Sequence, residues 1–200
     1  FASGVSNSLE TRSSEFEREF TLLKNTLEKY PENKLIYFST LRVNDQSKQD
    51  SHYVLHKLKM EDFIKNNSRS YLILRIGNIV GKGGNPNTLF NYLKNQITND
   101  SQFTVHSHAR RLLIDMEDIT QFLDHVCPTI NNQTINYAFP YYYNLKEIIT
   151  AIEEKIGKKA MYGEVNEGDF YQVPFEDNVN QFFSDIKPEN YIKSLAEKYI

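Results

Sequence analysis

Tyr53 and Lys57 lie four residues apart, a spacing that puts both side chains on one face of a helix. An ammonium beside a phenol favours the phenolate and lowers the tyrosine pKa. A tyrosine tuned in this way can take or return the proton of a substrate hydroxyl near neutral pH, the acid–base half of hydride transfer at a carbinol carbon. Spacing alone does not single the pair out, because Tyr-x-x-x-Lys occurs three times, as Tyr30/Lys34, Tyr53/Lys57 and Tyr142/Lys146. Context separates them. Tyr30/Lys34 straddles Pro31, and Tyr142/Lys146 runs from a loop into a helix. Only Tyr53/Lys57 falls inside a helix that follows a strand ending in a hydroxyl pair, Ser39-Thr40. Ligands of parallel α/β sheets bind at the carboxyl ends of strands. A hydroxyl there can hydrogen-bond the substrate oxygen beside the tyrosine.

The elements that must position these groups alternate short apolar runs with amphipathic segments, the pattern of βα units and a parallel sheet. Phe16, Phe20, Leu23, Leu27 and Tyr30 predict a helix over about 12–30. Leu35-Ile36-Tyr37-Phe38 reads as a strand and Asn44 to Asp50 as a turn. Ser51 or Asp50 can cap a helix over about 51–66, and Tyr71-Leu72-Ile73-Leu74 is the next strand. Gly77 to Pro86, with Gly81, Gly83 and Gly84, reads as a glycine-rich loop. Leu89, Phe90, Leu93 and Ile97 form a helical stripe. Leu112-Leu113-Ile114 predicts a strand, Asp115 a helix cap, and residues 135–139 a further strand. Asn144 with Glu147 resembles a capping box, opening a helix that Gly157 ends. The tail from Pro188 is helical. Phe1-Ala2-Ser3-Gly4 reads as the end of a buried strand, from which further sequence upstream is expected.

Composition narrows the function classes. A net charge of -3 argues against a general nucleic-acid binder. No apolar run approaches the roughly 20 residues a bilayer span needs. The single cysteine, Cys127, closes an apolar stripe and reads as a core residue in a reducing compartment, so a cytoplasmic location is expected. Neither nucleic acid nor membrane is an expected partner.

Several segments, in order, resemble the extended short-chain dehydrogenase/reductases, the NAD-dependent epimerase/dehydratase group. Ile36-Tyr37-Phe38-Ser39-Thr40-Leu41-Arg42-Val43 is similar to the strand that ends in the catalytic Ser/Thr. Tyr53-Val54-Leu55-His56-Lys57-Leu58-Lys59-Met60-Glu61 resembles the active-site helix. Leu74-Arg75-Ile76-Gly77-Asn78-Ile79-Val80-Gly81 resembles the Leu-Arg-x-x-Asn-x-x-Gly segment. The run from Arg111 to Ile119 resembles the later arginine-to-Asp-Asp segment, and Phe1 to Gly4 a strand end beside the cofactor. The resemblance implies a Rossmann-like, doubly wound parallel sheet without its N-terminal units, as one domain over 1–200. A smaller C-terminal lobe would supply substrate-binding elements at about 76–105 and 139–200. It implies Thr40, Tyr53 and Lys57 as catalytic residues. Ala2, Ser3, Gly4, Ser39, Tyr53, Lys57 and Ile76 would contact NAD or NADP. Thr40, Asn78 and Arg111 would contact a nucleotide sugar, the arginine through its diphosphate. It also implies a homodimer built on the helices at about 12–30 and 51–66. The expected activity is an NAD(P)-dependent epimerase, dehydratase or reductase of polysaccharide biosynthesis.

The chain departs from the family pattern in places. No Gly-x-x-Gly-x-x-Gly fingerprint occurs, the helical asparagine before the catalytic strand has no counterpart, and Thr40 precedes Tyr53 by only thirteen positions. The alternative is therefore a non-catalytic nucleotide-sugar-binding or scaffold member. Other residues have simpler readings. His52/His56 have a zinc-compatible spacing, with His106 and His108 as further ligands, but surface histidines account for them and no metal is expected. Tyr141-Tyr142-Tyr143 reads as a half-buried turn. Asp115, Glu117 and Asp118 read as a cap and first-turn residues, and Glu153 and Glu154 as a solvated helix face.

Overall fold

A computed structural model describes every residue except Gly84 and Asp169. The chain divides into two compact units. The first comprises Phe1–Ile76, Leu123–Tyr137 and Tyr171–Glu176; the second comprises Gly77–Phe122, Ala138–Phe170 and Asp177–Ile200.

The first unit is built on three parallel strands, β1 (Leu35–Thr40), β2 (Tyr71–Ile76) and β6 (Gln133–Tyr137), in the order β1-β2-β6. Their registers bring Thr40, Ile76 and Tyr137 side by side at the carboxyl edge. Helices α1 (Ser13–Lys29) and α2 (His52–Asn67) supply the apolar layer over β1 and β2. Leu23, Leu27, Met60 and Ile64 pack there with Leu35, Tyr37 and Ile73. Phe20 meets Phe63 edge-on at 4.8 Å, a quadrupole-favoured geometry. The polar stretch after β1 forms two short 3-10 turns, Leu41–Asn44 and Gln46–Lys48. Ser51 takes the N-cap position of α2 without a side-chain cap bond.

The second unit holds β3 (Asn78–Val80) and β5 (Arg110–Asp115) in parallel, with β7 (Tyr142–Asn144) antiparallel to β5. β4 (Phe103–His106) pairs in parallel with β8 (Tyr162–Val165). Helices α3 (Leu89–Thr98), α5 (Leu145–Ile156), α6 (Asp177–Phe182) and α7 (Pro188–Tyr199) belong here, as does the start of α4 (Met116–Val126). Asn144 and Glu147 form the anticipated capping box, with reciprocal bonds of 2.9 and 2.7 Å. Gly157 ends α5 at φ 76°, a left-handed C-cap that glycine adopts without steric cost.

Three local expectations change. Phe1–Gly4 is not in a strand: the Phe1 backbone nitrogen bonds to the Ile36 carbonyl at 2.6 Å, with the Phe1 ring against Tyr37. A single bond is not a ladder. The glycine-rich stretch begins with strand β3, because the backbone of 78–80 pairs with 113–115; Gly84 within it lies outside the described residues. The tyrosine triplet is partly strand, and Tyr143 is buried, donating to the Pro188 carbonyl at 2.7 Å.

Candidate active site

At the carboxyl end of β1 the structure gathers Ser39, Thr40, Tyr53 and Lys57. Strand β1 delivers the two hydroxyls on opposite faces, Ser39 buried and Thr40 half-buried. Thr40 caps the turn that follows, accepting from the Arg42 amide at 3.2 Å. Ser39 Oγ donates to Glu61 Oε1 at 2.7 Å. Glu61 also receives the Arg75 guanidinium, at 2.6 and 2.9 Å, so one buried carboxylate ties α2 to both β1 and β2. That tie fixes where along the sheet Tyr53 sits.

Tyr53 is 7% exposed. Burial pushes its pKa up to about 12; the nearby Thr40 hydroxyl and the Arg42 charge only partly offset this, while Glu19 adds to the rise. At their four-residue spacing Lys57 is expected to pull this phenol down. Lys57 does lie beside it, Nζ 5.8 Å from the ring centre. Its charge, however, is taken up by Glu19 at 2.9 Å, and it also donates to Tyr37 Oη at 3.1 Å. A neutralised ammonium has little field left for the tyrosine.

Glu19 and Tyr37 are members of the site that motif reading passed over. Glu19 is fully buried and accepts from the Val5 amide at 2.7 Å, Tyr37 Oη at 2.7 Å, His56 Nε2 at 3.0 Å and Lys57. Burial alone would raise its pKa, but these partners bring it down to about 2. The signal was present: position 19 falls on the Phe16, Phe20, Leu23, Leu27 face, where a charge needs a buried partner. His56 is accordingly buried, not on the surface. Of the proposed cofactor contacts, Gly4 lies against this cluster and Ala2 and Ser3 are exposed. Ile76 is buried next to Thr40 across the sheet.

The second unit carries the other expected ligands on adjoining strands. Asn78 is exposed, opens β3 opposite Leu113, and donates from Nδ2 to the Leu112 carbonyl at 3.1 Å. Arg111 is half-buried two residues earlier on β5 and donates to the Arg110 carbonyl at 2.8 Å. Asp115 does cap the turn into α4 through the Glu117 amide, and it also binds Lys198. Glu153 is tied to Lys159 and the Ala160 amide. Among the described residues no group of three or more His, Cys, Asp or Glu could hold a metal ion, and no helix is long and apolar enough to cross a membrane.

No protein-family model and no curated protein matches the sequence. Solved structures do match in fold. A UDP-glucuronic acid 4-epimerase from Bacillus cereus, in complex with a fluorinated UDP-sugar and NAD, superposes with a TM-score of 0.78 at 16% identity, over 98% of this chain and 73% of its own. RMD from Pseudomonas aeruginosa, complexed with NADPH, gives 0.72 at 12% identity, over 98% and 77%. A dTDP-glucose 4,6-dehydratase from Bacillus anthracis, in complex with NAD, gives 0.69 at 15% identity, over 94% and 69%. The chain thus has the Rossmann-like α/β fold of these solved structures.

Proposed function

We propose that the protein is an NAD(P)-dependent epimerase, dehydratase or reductase acting on a nucleotide-activated sugar. The observation that carries this reading is the convergence of Thr40, Tyr53 and Lys57 at the carboxyl end of β1. The ligands of the similar folds, nucleotide sugars and NAD or NADPH, support it. The donor set suits the ribose end of a dinucleotide. An ammonium has three N–H groups, and Glu19 and Tyr37 account for two of those on Lys57. Gly4 presents no side chain over them. Ser39, Tyr53, Lys57, Ile76 and the Ala2–Gly4 segment would hold that end. The sequence has no glycine fingerprint for the pyrophosphate. When bound, the cofactor supplies and accepts hydride.

Tyr53, protonated at neutral pH, donates its proton to a sugar oxygen and takes it back in the reverse step. Thr40 orients that oxygen and the phenol together. Lys57 holds the ribose hydroxyls. Arg111 and Asn78 bind the diphosphate and sugar of the substrate. We further propose one functional domain over 1–200, with 76–105 and 139–200 supplying the substrate elements, working as a homodimer through α1 and α2.

The test is incubation of the full-length protein with NAD or NADP and a panel of UDP-, dTDP- and GDP-sugars, with product detection by NMR. An epimerised, keto or reduced sugar that disappears in Tyr53→Phe supports the proposal. Nucleotide-sugar binding with neither dinucleotide binding nor turnover assigns the chain to a binding or scaffold role instead.

A further inference from the structure

We infer that Glu19 is the counter-ion that keeps Lys57 charged and aimed within the site: a positioning residue acting through the lysine. Lys57 is 2% exposed and Glu19 0%. An ammonium so enclosed sheds its proton unless an anion faces it. The groups facing Lys57 are Glu19 from α1, Tyr37 from β1, and Tyr53 and Glu61 from its own helix. Glu61 is committed to Ser39 and Arg75, and the two tyrosines are neutral phenols whose pKa values burial raises. Among the described residues Glu19 is therefore the one anion bonded directly to Nζ. Burial lowers the Lys57 pKa, and Glu19 opposes that fall first among its neighbours.

Glu19 is itself held rigidly. Its second oxygen accepts from the Val5 amide and His56, so the carboxylate cannot swing to follow Lys57 elsewhere. The backbone gives an independent sign that the pair is built in. A Cβ on Gly4 would lie 2.9 Å from both Glu19 Oε1 and Lys57 Nζ, closer than side-chain carbons approach, so the ion pair occupies the space that any larger residue there would need.

This deepens the proposed role of Lys57 and takes its functional meaning from that reading, but its test needs no turnover. In protein labelled with ¹⁵N-lysine, the Nζ resonance of Lys57, assigned by its loss in Lys57→Met, is followed against pH. In Glu19→Gln the midpoint should fall by about one pH unit or more, a tenfold weaker hold on the proton. Equal midpoints in the two proteins overturn the inference. If Glu19→Gln does not fold, Lys57→Met is compared with Glu19→Gln/Lys57→Met. The double variant should melt at the higher temperature, because it removes the stranded carboxylate; a melting point no higher than that of Lys57→Met overturns the inference. Equal midpoints with Tyr53-dependent turnover would sink only the counter-ion role. A clear midpoint shift without any turnover would sink only the enzymatic reading.

Discussion

Glu61 joins Ser39 on β1 to Arg75 on β2, 2.7 Å from the hydroxyl and 2.6 Å from the guanidinium. The carboxylate is fully buried while the Arg75 side chain keeps 21% of its exposure, so removing the arginine strands the carboxylate in a dry interior, whereas removing the carboxylate leaves a guanidinium that water still reaches. Breaking a buried pair from one side costs about 3–5 kcal/mol. Arg75→Ala, which leaves that buried carboxylate without its main partner, should lower stability by that order in urea unfolding. Ser39→Ala removes only a neutral donor and should cost about 1 kcal/mol. Equal losses in the two variants would contradict the assignment of Arg75 as the main partner.

Tyr53→Phe should preserve the fold and lower turnover by about 10²–10⁴-fold, the usual contribution of an acid–base group. The substitution removes one hydroxyl from a ring that stays packed, so circular dichroism should not change. Since burial holds the phenol up to about 12, wild-type activity in the proton-donating direction should persist through neutral pH and decline only on the far alkaline side. Near-normal turnover in the variant would remove Tyr53 from the mechanism.

Arg111→Ala should weaken binding of a nucleotide diphosphate sugar by about 1.5–3 kcal/mol, the value of a charge-assisted hydrogen bond. Binding of the dinucleotide should change little. Calorimetric titration with each ligand separates the two, and unchanged sugar-nucleotide affinity would refute the diphosphate role.

Much of this arrangement was legible because its determinants are local. The Tyr53/Lys57 face, the hydroxyl pair after an apolar run, and the Asn144/Glu147 box are each decided within a few residues. What stayed hidden depends on distant partners. Asn78–Val80 gives no strand signal beside its glycines and becomes one only against Leu113–Asp115. β4 pairs with β8 across more than fifty residues. Most tellingly, the spacing of Tyr53 and Lys57 predicted a lowered phenol pKa, whereas burial raises it and Glu19, thirty-eight positions from Lys57, takes up the lysine's charge. A pairwise motif carries no account of the third charge.

The same carboxylate makes the fold sensitive to acid. The folded-state pKa of Glu19 is about 2, against an ordinary 4.5. Its stabilising contribution is therefore complete above about pH 4.5 and is lost as pH falls toward 2, when the unfolded chain takes up the proton first. The size is roughly 3 kcal/mol at one pKa unit per 1.36 kcal/mol. Asp118, whose pKa burial raises, contributes in the opposite sense and at higher pH, from its ordinary 3.8 upward. Urea unfolding of the wild type should lose stability between pH 4.5 and 2. Glu19→Gln should start from a lower value at pH 7 and show a flatter slope. A slope as steep as that of the wild type would place the acid sensitivity elsewhere.

Assembly gives the last expectation. Helices α1 and α2 pack on each other through Phe20–Phe63 and Phe16–His56, yet Leu22 on α1 and Leu55 on α2 remain 41% and 51% exposed. Large apolar side chains left in water on neighbouring helices favour burial against a second copy, and a two-fold axis pairs each helix with its equivalent. The full-length protein should therefore have a dimer mass in light scattering at micromolar concentration. Leu55→Arg, which places a charge in the interface without touching Tyr53 or Lys57, should shift it to a monomer while leaving the melting curve of the monomeric fold cooperative. A wild-type monomer at that concentration would exclude this interface, and a dimer unaffected by Leu55→Arg would move it to another face.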